Sequence, residues 1–209
     1  MSTHRQLRDT PSQFATAVEQ LRTAVVRPEV VVEPQPAPTK IAPHAYALGG
    51  EIDGGEDELA SGRFVLLHDP FGQDGWEGAF RCVTLARAEI EGDLADDPVL
   101  PSVCWSWLTD ALAAREAEVT ASGGSVTVVH TESFGAIDGD PPRAQIEVRA
   151  SWTPLTGAAE HLGAWTDLLA KIAGLPPLPT GAAARTPEGP SIPAEITYLD
   201  SRRRGAGRR

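Results

Sequence analysis

Residues 143–152, Arg143-Ala144-Gln145-Ile146-Glu147-Val148-Arg149-Ala150-Ser151-Trp152, decide how this chain folds. Ala144, Ile146, Val148, Ala150 and Trp152 alternate with Arg143, Gln145, Glu147, Arg149 and Ser151. A period of two, with one apolar and one polar face, is the pattern of a half-buried antiparallel strand. Burying Ile146, Val148 and Trp152 is worth about 1.5–3 kcal/mol each before conformational entropy is set against it. A slip of one residue would turn all of them toward water, so the register is firmly set.

The same alternation recurs from Ala79 to Glu91. There Phe80, Cys82, Thr84, Ala86, Ala88 and Ile90 oppose Arg81, Val83, Leu85, Arg87, Glu89 and Glu91. Shorter strands are expected at 44–52, 63–68 and 126–134, with the turn cluster Asp69 to Gly75 closing a hairpin. Helical spacing appears three times. Phe14, Val18, Leu21 and Val25 form one stripe over 11–27, ended by Pro28. Val103, Trp107, Leu108, Ala111 and Leu112 form a second, capped by Ser102 and stopped by Ser122-Gly123-Gly124. Ala158, Leu162, Trp165, Leu169 and Ile172 form a third, closed by Gly174 and Pro176. Hairpins separated by helices predict an α+β fold, with an antiparallel sheet of four to five strands and two to three helices packed on it. The division expected is an N-terminal helix over 1–27, a Pro-rich linker over 28–43, an α+β core domain over 44–175, and a disordered Pro/Arg-rich tail over 176–209. Val30 to Val32 inside the linker suits either an edge strand or a segment lying over the core.

The chain has 209 residues and a formal charge of −11. Five arginines and no acid lie in Arg202–Arg209, so residues 1–201 carry −16. An acidic body repels both a phosphate backbone and an anionic membrane. Nucleic acid is therefore expected only through the Arg202–Arg209 tail, which is equally suited to an acidic protein surface or to folding back on the body. Cys82 and Cys104 form no paired framework, and neither a signal peptide nor a membrane-length apolar run is evident. The expectation is a cytoplasmic protein without a membrane association, with two buried free thiols.

Several side chains are candidates for a site. Arg81, Arg87, Glu89 and Glu91 share a strand face, with neighbours of like orientation about 7 Å apart. They read as a polar binding surface or as a solvated face of compensating charges. Val83 and Leu85 lie between them, which suggests that the N-terminal helix or the linker covers part of this face. His130 and Glu132, with Arg149 beside them in a hairpin, would bring a base near a carboxylate. No nucleophile with a supporting motif accompanies them. Trp105 and Trp107 are two residues apart and cannot share a helix face. One is expected in the core and the other at a boundary, where an exposed ring would mark a contact site. His68-Asp69 with Asp74 matches no metal-ligand spacing, and Asp53 to Glu58 lacks a calcium-loop pattern. No metal and no cofactor is expected.

The segments Gly62-Arg63-Phe64-Val65-Leu66-Leu67-His68-Asp69-Pro70, Trp76-Glu77-Gly78, Phe80-Arg81, Arg87-Ala88-Glu89 and Trp105-Ser106-Trp107-Leu108 resemble the uncharacterised actinobacterial domain-of-unknown-function family 3000. The resemblance covers roughly Phe14 to Leu175. It implies a cytosolic actinobacterial protein and genes near ribonuclease D, and it transfers no catalytic residue. The function expected is a non-enzymatic protein-binding or regulatory module that uses the charged strand face or the tryptophan helix. The alternative is an enzyme of unknown class linked to RNA metabolism, with His130, Glu132 and Arg149 in its site. An enzyme needs a pocket where those groups converge, and a binding module needs an exposed apolar patch.

Overall fold

The computed structural model describes residues 11–55, 58–135 and 143–178. In chain order these form α1 (Ser12–Arg22), β1 (Val31–Gln35), β2 (His44–Asp53), β3 (Glu58–His68), β4 (Phe80–Ile90), α2 (Gly92–Ala95), α3 (Leu100–Ala114), β5 (Val119–Thr131), β6 (Arg143–Pro154) and α4 (Ala158–Ile172). The strands make one sheet in the order β1-β2-β3-β4-β6-β5, antiparallel throughout. The chain leaves β4, crosses through α2 and α3 to the outer strand β5, and returns as β6 into the gap beside β4.

One face of the sheet is sealed by helices. Cys82, Ala86 and Ala88 of β4 and Ile146, Val148, Ala150 and Trp152 of β6 meet Leu162, Trp165 and Leu169 of α4 there. The apolar side of residues 143–152 is thus the inside of the molecule, with Val148 fully buried. Arg115 at the end of α3 grips Asp167 of α4 through Nε (2.7 Å) and Nη2 (2.8 Å), a two-pronged pair that fixes the two helices against each other. At the end of α4, Gly174 takes φ +74°, and the Leu175 N–H reaches the Ala170 carbonyl at 2.9 Å.

The α+β class and the antiparallel sheet agree with expectation, but the sheet has six strands rather than four to five, and four helices rather than two to three. β1 arises inside the stretch read as a linker. Pro34 is accommodated because β1 is an edge strand, where a missing N–H costs least. The single turn α2 is too short to show a period. Gly123-Gly124 does not stop α3; it lies inside β5. A Cβ at Gly124 would sit 2.7 Å from the Trp105 ring and 2.1 Å from the Arg149 carbonyl, so the glycine lets α3 approach the sheet. The helix instead ends at Arg115, followed by Glu116 at φ +55°. Ser102 does not cap it, since its hydroxyl donates to the Val99 carbonyl. α1 ends at Arg22, so Val25 turns outward while Ala24 and Val26 enter the core.

Among the described residues, no helix is long and apolar enough to cross a membrane. The Arg202–Arg209 tail lies outside the described residues.

Candidate functional site

The face of the sheet opposite the helices carries the second half of every alternating pattern. The register lines up three rows across four strands. Val65, Val83, Ser151 and Gly123 form one; Arg63, Leu85, Arg149 and Ser125 the next; Ser61, Arg87, Glu147 and Thr127 the third. A groove of ≈ 370 Å³ follows this face, lined by Arg63, Val65, Val83, Leu85, Ser125 and Arg149. Its floor is aliphatic. Val83 keeps 37% of its surface exposed although strands flank it on both sides.

At one end the face is covered. Ala42 and the half-buried Ala37 of the linker and Trp76 of the β3–β4 loop pack with Ala45, Ala47, Val65 and Leu67 into a small separate apolar cluster. The linker therefore supplies part of the expected cover. The N-terminal helix does not, because α1 packs on the other side of the sheet against α4.

Arginines crowd this face. Arg87 Nε donates to Glu147 Oε2 at 2.5 Å, and Arg149 Nε donates to the other oxygen of the same carboxylate. The Arg149 bond is the largest cause holding the Glu147 carboxyl below its usual range, and it raises the Arg149 guanidinium in return. Arg81 spans three strands: Nη2 donates to Ser151 Oγ at 2.7 Å, and Nη1 to the Ala121 carbonyl at 2.8 Å. It fastens the irregular start of β5, and partial burial pulls its pKa down. Arg63 donates from Nη2 to the Pro36 carbonyl, while its Nε is buried without a hydrogen-bond partner. Among the described residues, neither Arg63 nor Arg81 has a carboxylate oxygen within 4.0 Å.

The residues singled out in the sequence divide in space. Arg81, Arg87 and Arg149 come together on this face, with Glu147 between the last two. Glu89 lies farther along β4, 3.9 Å from Arg143 and exposed. Glu91 falls beyond the strand and opens α2. His130 pairs with Ala144, so it belongs to the helix-side face, while Arg149 pairs with Ser125 on the open one. His130 Nδ1 is 3.9 Å from Asp96 Oδ1, beyond hydrogen-bond reach, and Glu132 lies exposed past the end of β5. His130, Glu132 and Arg149 thus do not converge, because positions of opposite parity on paired strands point to opposite faces. Trp105 and Trp107 are both half-buried, and neither takes the core position expected for one of them. Cys104 and Leu108, four apart, occupy the inward stripe of α3 instead. Trp105 lies against Gly124, and the Trp107 ring sits 5.5 Å from Lys171 Nζ.

Arg63, Ser125 and Ser151 complete the groove and were not singled out in the sequence. Arg63 begins an apolar run, and only its opposition to Phe64 would have assigned it outward. Among the described residues, no group of three or more His, Cys, Asp or Glu is placed to hold a metal ion.

A family model described as a protein of unknown function (DUF3000) matches residues 10–182, a span that contains every helix and strand above and the whole groove. No curated protein and no solved structure matches the chain. By this match over most of its length, the chain belongs to the DUF3000 family of proteins of unknown function.

Proposed function

We propose that this chain is a non-enzymatic protein-binding module that holds an acidic, aliphatic-bearing segment of a partner protein on the open face of its sheet. The observation that carries the reading is the groove itself: an aliphatic floor of Val65, Val83 and Leu85 between Arg63 and Arg149, with Val83 exposed at its centre. Apolar side chains left in water at the centre of a sheet mark a contact surface. In a chain of charge −11, Arg63, which has no carboxylate oxygen within 4.0 Å among the described residues, selects for an anionic group beside the exposed Arg149 guanidinium that Glu147 already pairs. The groove lining contains no aromatic ring, which disfavours single-stranded RNA, since base stacking needs one. The enzyme alternative built on His130, Glu132 and Arg149 has no such support, because those groups lie on opposite faces. We place the protein in the cytosol, where the free thiols of Cys82 and Cys104 stay reduced.

The test is a methyl NMR titration. An extended peptide alternating Asp or Glu with Leu should move the resonances of Val65, Val83 and Leu85, and added salt should weaken it. Arg63→Glu with Arg149→Glu should abolish the shifts while the fold persists. No shift with the acidic peptide, or equal shifts with a lysine-bearing peptide, would refute the reading. Shifts with an RNA oligonucleotide instead would reassign the face.

A further inference from the structure

The two edges of the sheet are built in opposite ways. β1 has five residues, with Pro34 and an exposed Glu33 among them. Both features discourage another strand from adding there. β5 has thirteen residues and contains neither proline nor any Asp, Glu, Lys or Arg. Among the described residues, nothing pairs with its outer side. Ser125 to Thr131 reads Ser-Val-Thr-Val-Val-His-Thr, rich in β-branched side chains suited to a paired strand. Two more features flank this edge. A groove of ≈ 200 Å³ opens between α3 and the start of β5, lined by Trp105, Leu112, Val119 and Ser122 among others. Phe134, three positions beyond the end of β5, is 73% exposed.

We propose that β5 pairs antiparallel with β5 of a second copy of this chain, in a symmetric dimer that joins the two sheets edge to edge. For both faces to continue across the junction, opposed residues must have the same parity. A pairing centred on Thr127 meets this condition. It sets Val126 against Val128 on the helix side, and Ser125 against Val129 on the open side, with no charge facing a like charge. Past the irregularity between Thr120 and Gly123, which adds one residue to β5, the same register brings Phe134 of one copy alongside Val119 of the other, a residue that lines the Trp105 groove. Two-fold symmetry lets each copy give one phenylalanine and receive one. An unrelated strand would cover the edge but would not supply the ring that fits the groove. The proposal does not depend on what the arginine-lined face holds.

Sedimentation equilibrium of the full chain should give twice the monomer mass. Thr127→Lys, at an exposed position, places two ammonium groups opposite each other and should weaken the dimer about tenfold or more without changing the far-UV spectrum. Phe134→Ala should weaken it by a comparable factor from outside the strand. Thr127→Cys should form a disulfide-linked dimer on oxidation, whereas Thr109→Cys on α3 should not. A monomeric wild type, or a dimer unchanged by both Thr127→Lys and Phe134→Ala, would overturn the proposal.

Discussion

The indole N–H of Trp152 on β6 donates to Nδ1 of His161 on α4 across 3.1 Å, with both side chains buried in the seam between sheet and helix. An acceptor at Nδ1 requires the neutral ring with its proton on Nε2, where Thr156 Oγ1 lies 3.2 Å away. Protonation would bury a charge and set one N–H against another. Burial accordingly holds the His161 pKa down to about 4.

That relationship makes stability depend on pH. The folded state favours the neutral ring, so the contribution is complete above the ordinary value of 6.5 and is lost as pH falls from there toward about 4. Its size is on the order of 3 kcal/mol. His44 and His68, both lowered chiefly by burial, act in the same direction. Urea denaturation across this pH window should show stability falling with acid. His161→Phe should be less stable at neutral pH, because the Trp152 N–H loses its acceptor, yet should fall less steeply. Parallel pH profiles for the two proteins would contradict this assignment.

Val148 and Val83 sit on adjacent central strands and face opposite ways. Val148→Asp would bury a carboxylate among Ile146, Ala86 and the α4 side chains, and the domain should not fold. Val83→Asp meets water in the groove and should cost about 1 kcal/mol or less. Thermal melts followed by circular dichroism separate the two, and equal effects would mean the faces are misassigned.

Gly50 and Gly62 are partners on β2 and β3 and make a slot for the Trp165 indole. A Cβ at Gly62 would lie 2.3 Å from the Leu85 carbonyl oxygen, which itself accepts from Trp165 Nε1 at 3.1 Å. Gly62→Ala should therefore destabilise by about 1–3 kcal/mol. Gly92→Ala, where nothing lies within 4 Å of the added carbon, should be neutral or slightly stabilising. Paired denaturant titrations test the contrast.

Both cysteines are buried and unpaired. Burial pushes the Cys104 thiol up to about 11 and raises Cys82 further. Neither holds a reactive thiolate at neutral pH. A thiol-specific chromogenic reagent should label no cysteine in the folded protein and both in denaturant. Fast labelling of the native chain would disprove this.

The residues of the candidate face were partly visible in advance. Arg81, Arg87 and Arg149 stand outward on their strands by alternation alone. That Arg87 and Arg149 share Glu147 was not visible, because it depends on β4 and β6 being neighbours although 60 residues separate Arg87 from Glu147. His130 and Arg149 looked close in sequence register and turned out to lie on opposite faces, since a hairpin's register depends on a turn that local pattern does not specify. Trp105 and Trp107 looked like one core and one surface ring, but the inward stripe of α3 runs through Cys104 and Leu108.

The sequence by itself determined which side of β4, β6, α1 and α4 is greasy, and hence the class of the fold, because apolar periodicity is a local property of each segment. Only the tertiary structure decided that β6 lies inside β5, that β1 joins the edge, that Gly123-Gly124 belongs to a strand, and that Arg63 completes a groove. Each of these depends on which backbone lies beside which, and the hydrogen bonds and close approaches that decide it join residues far apart in the chain.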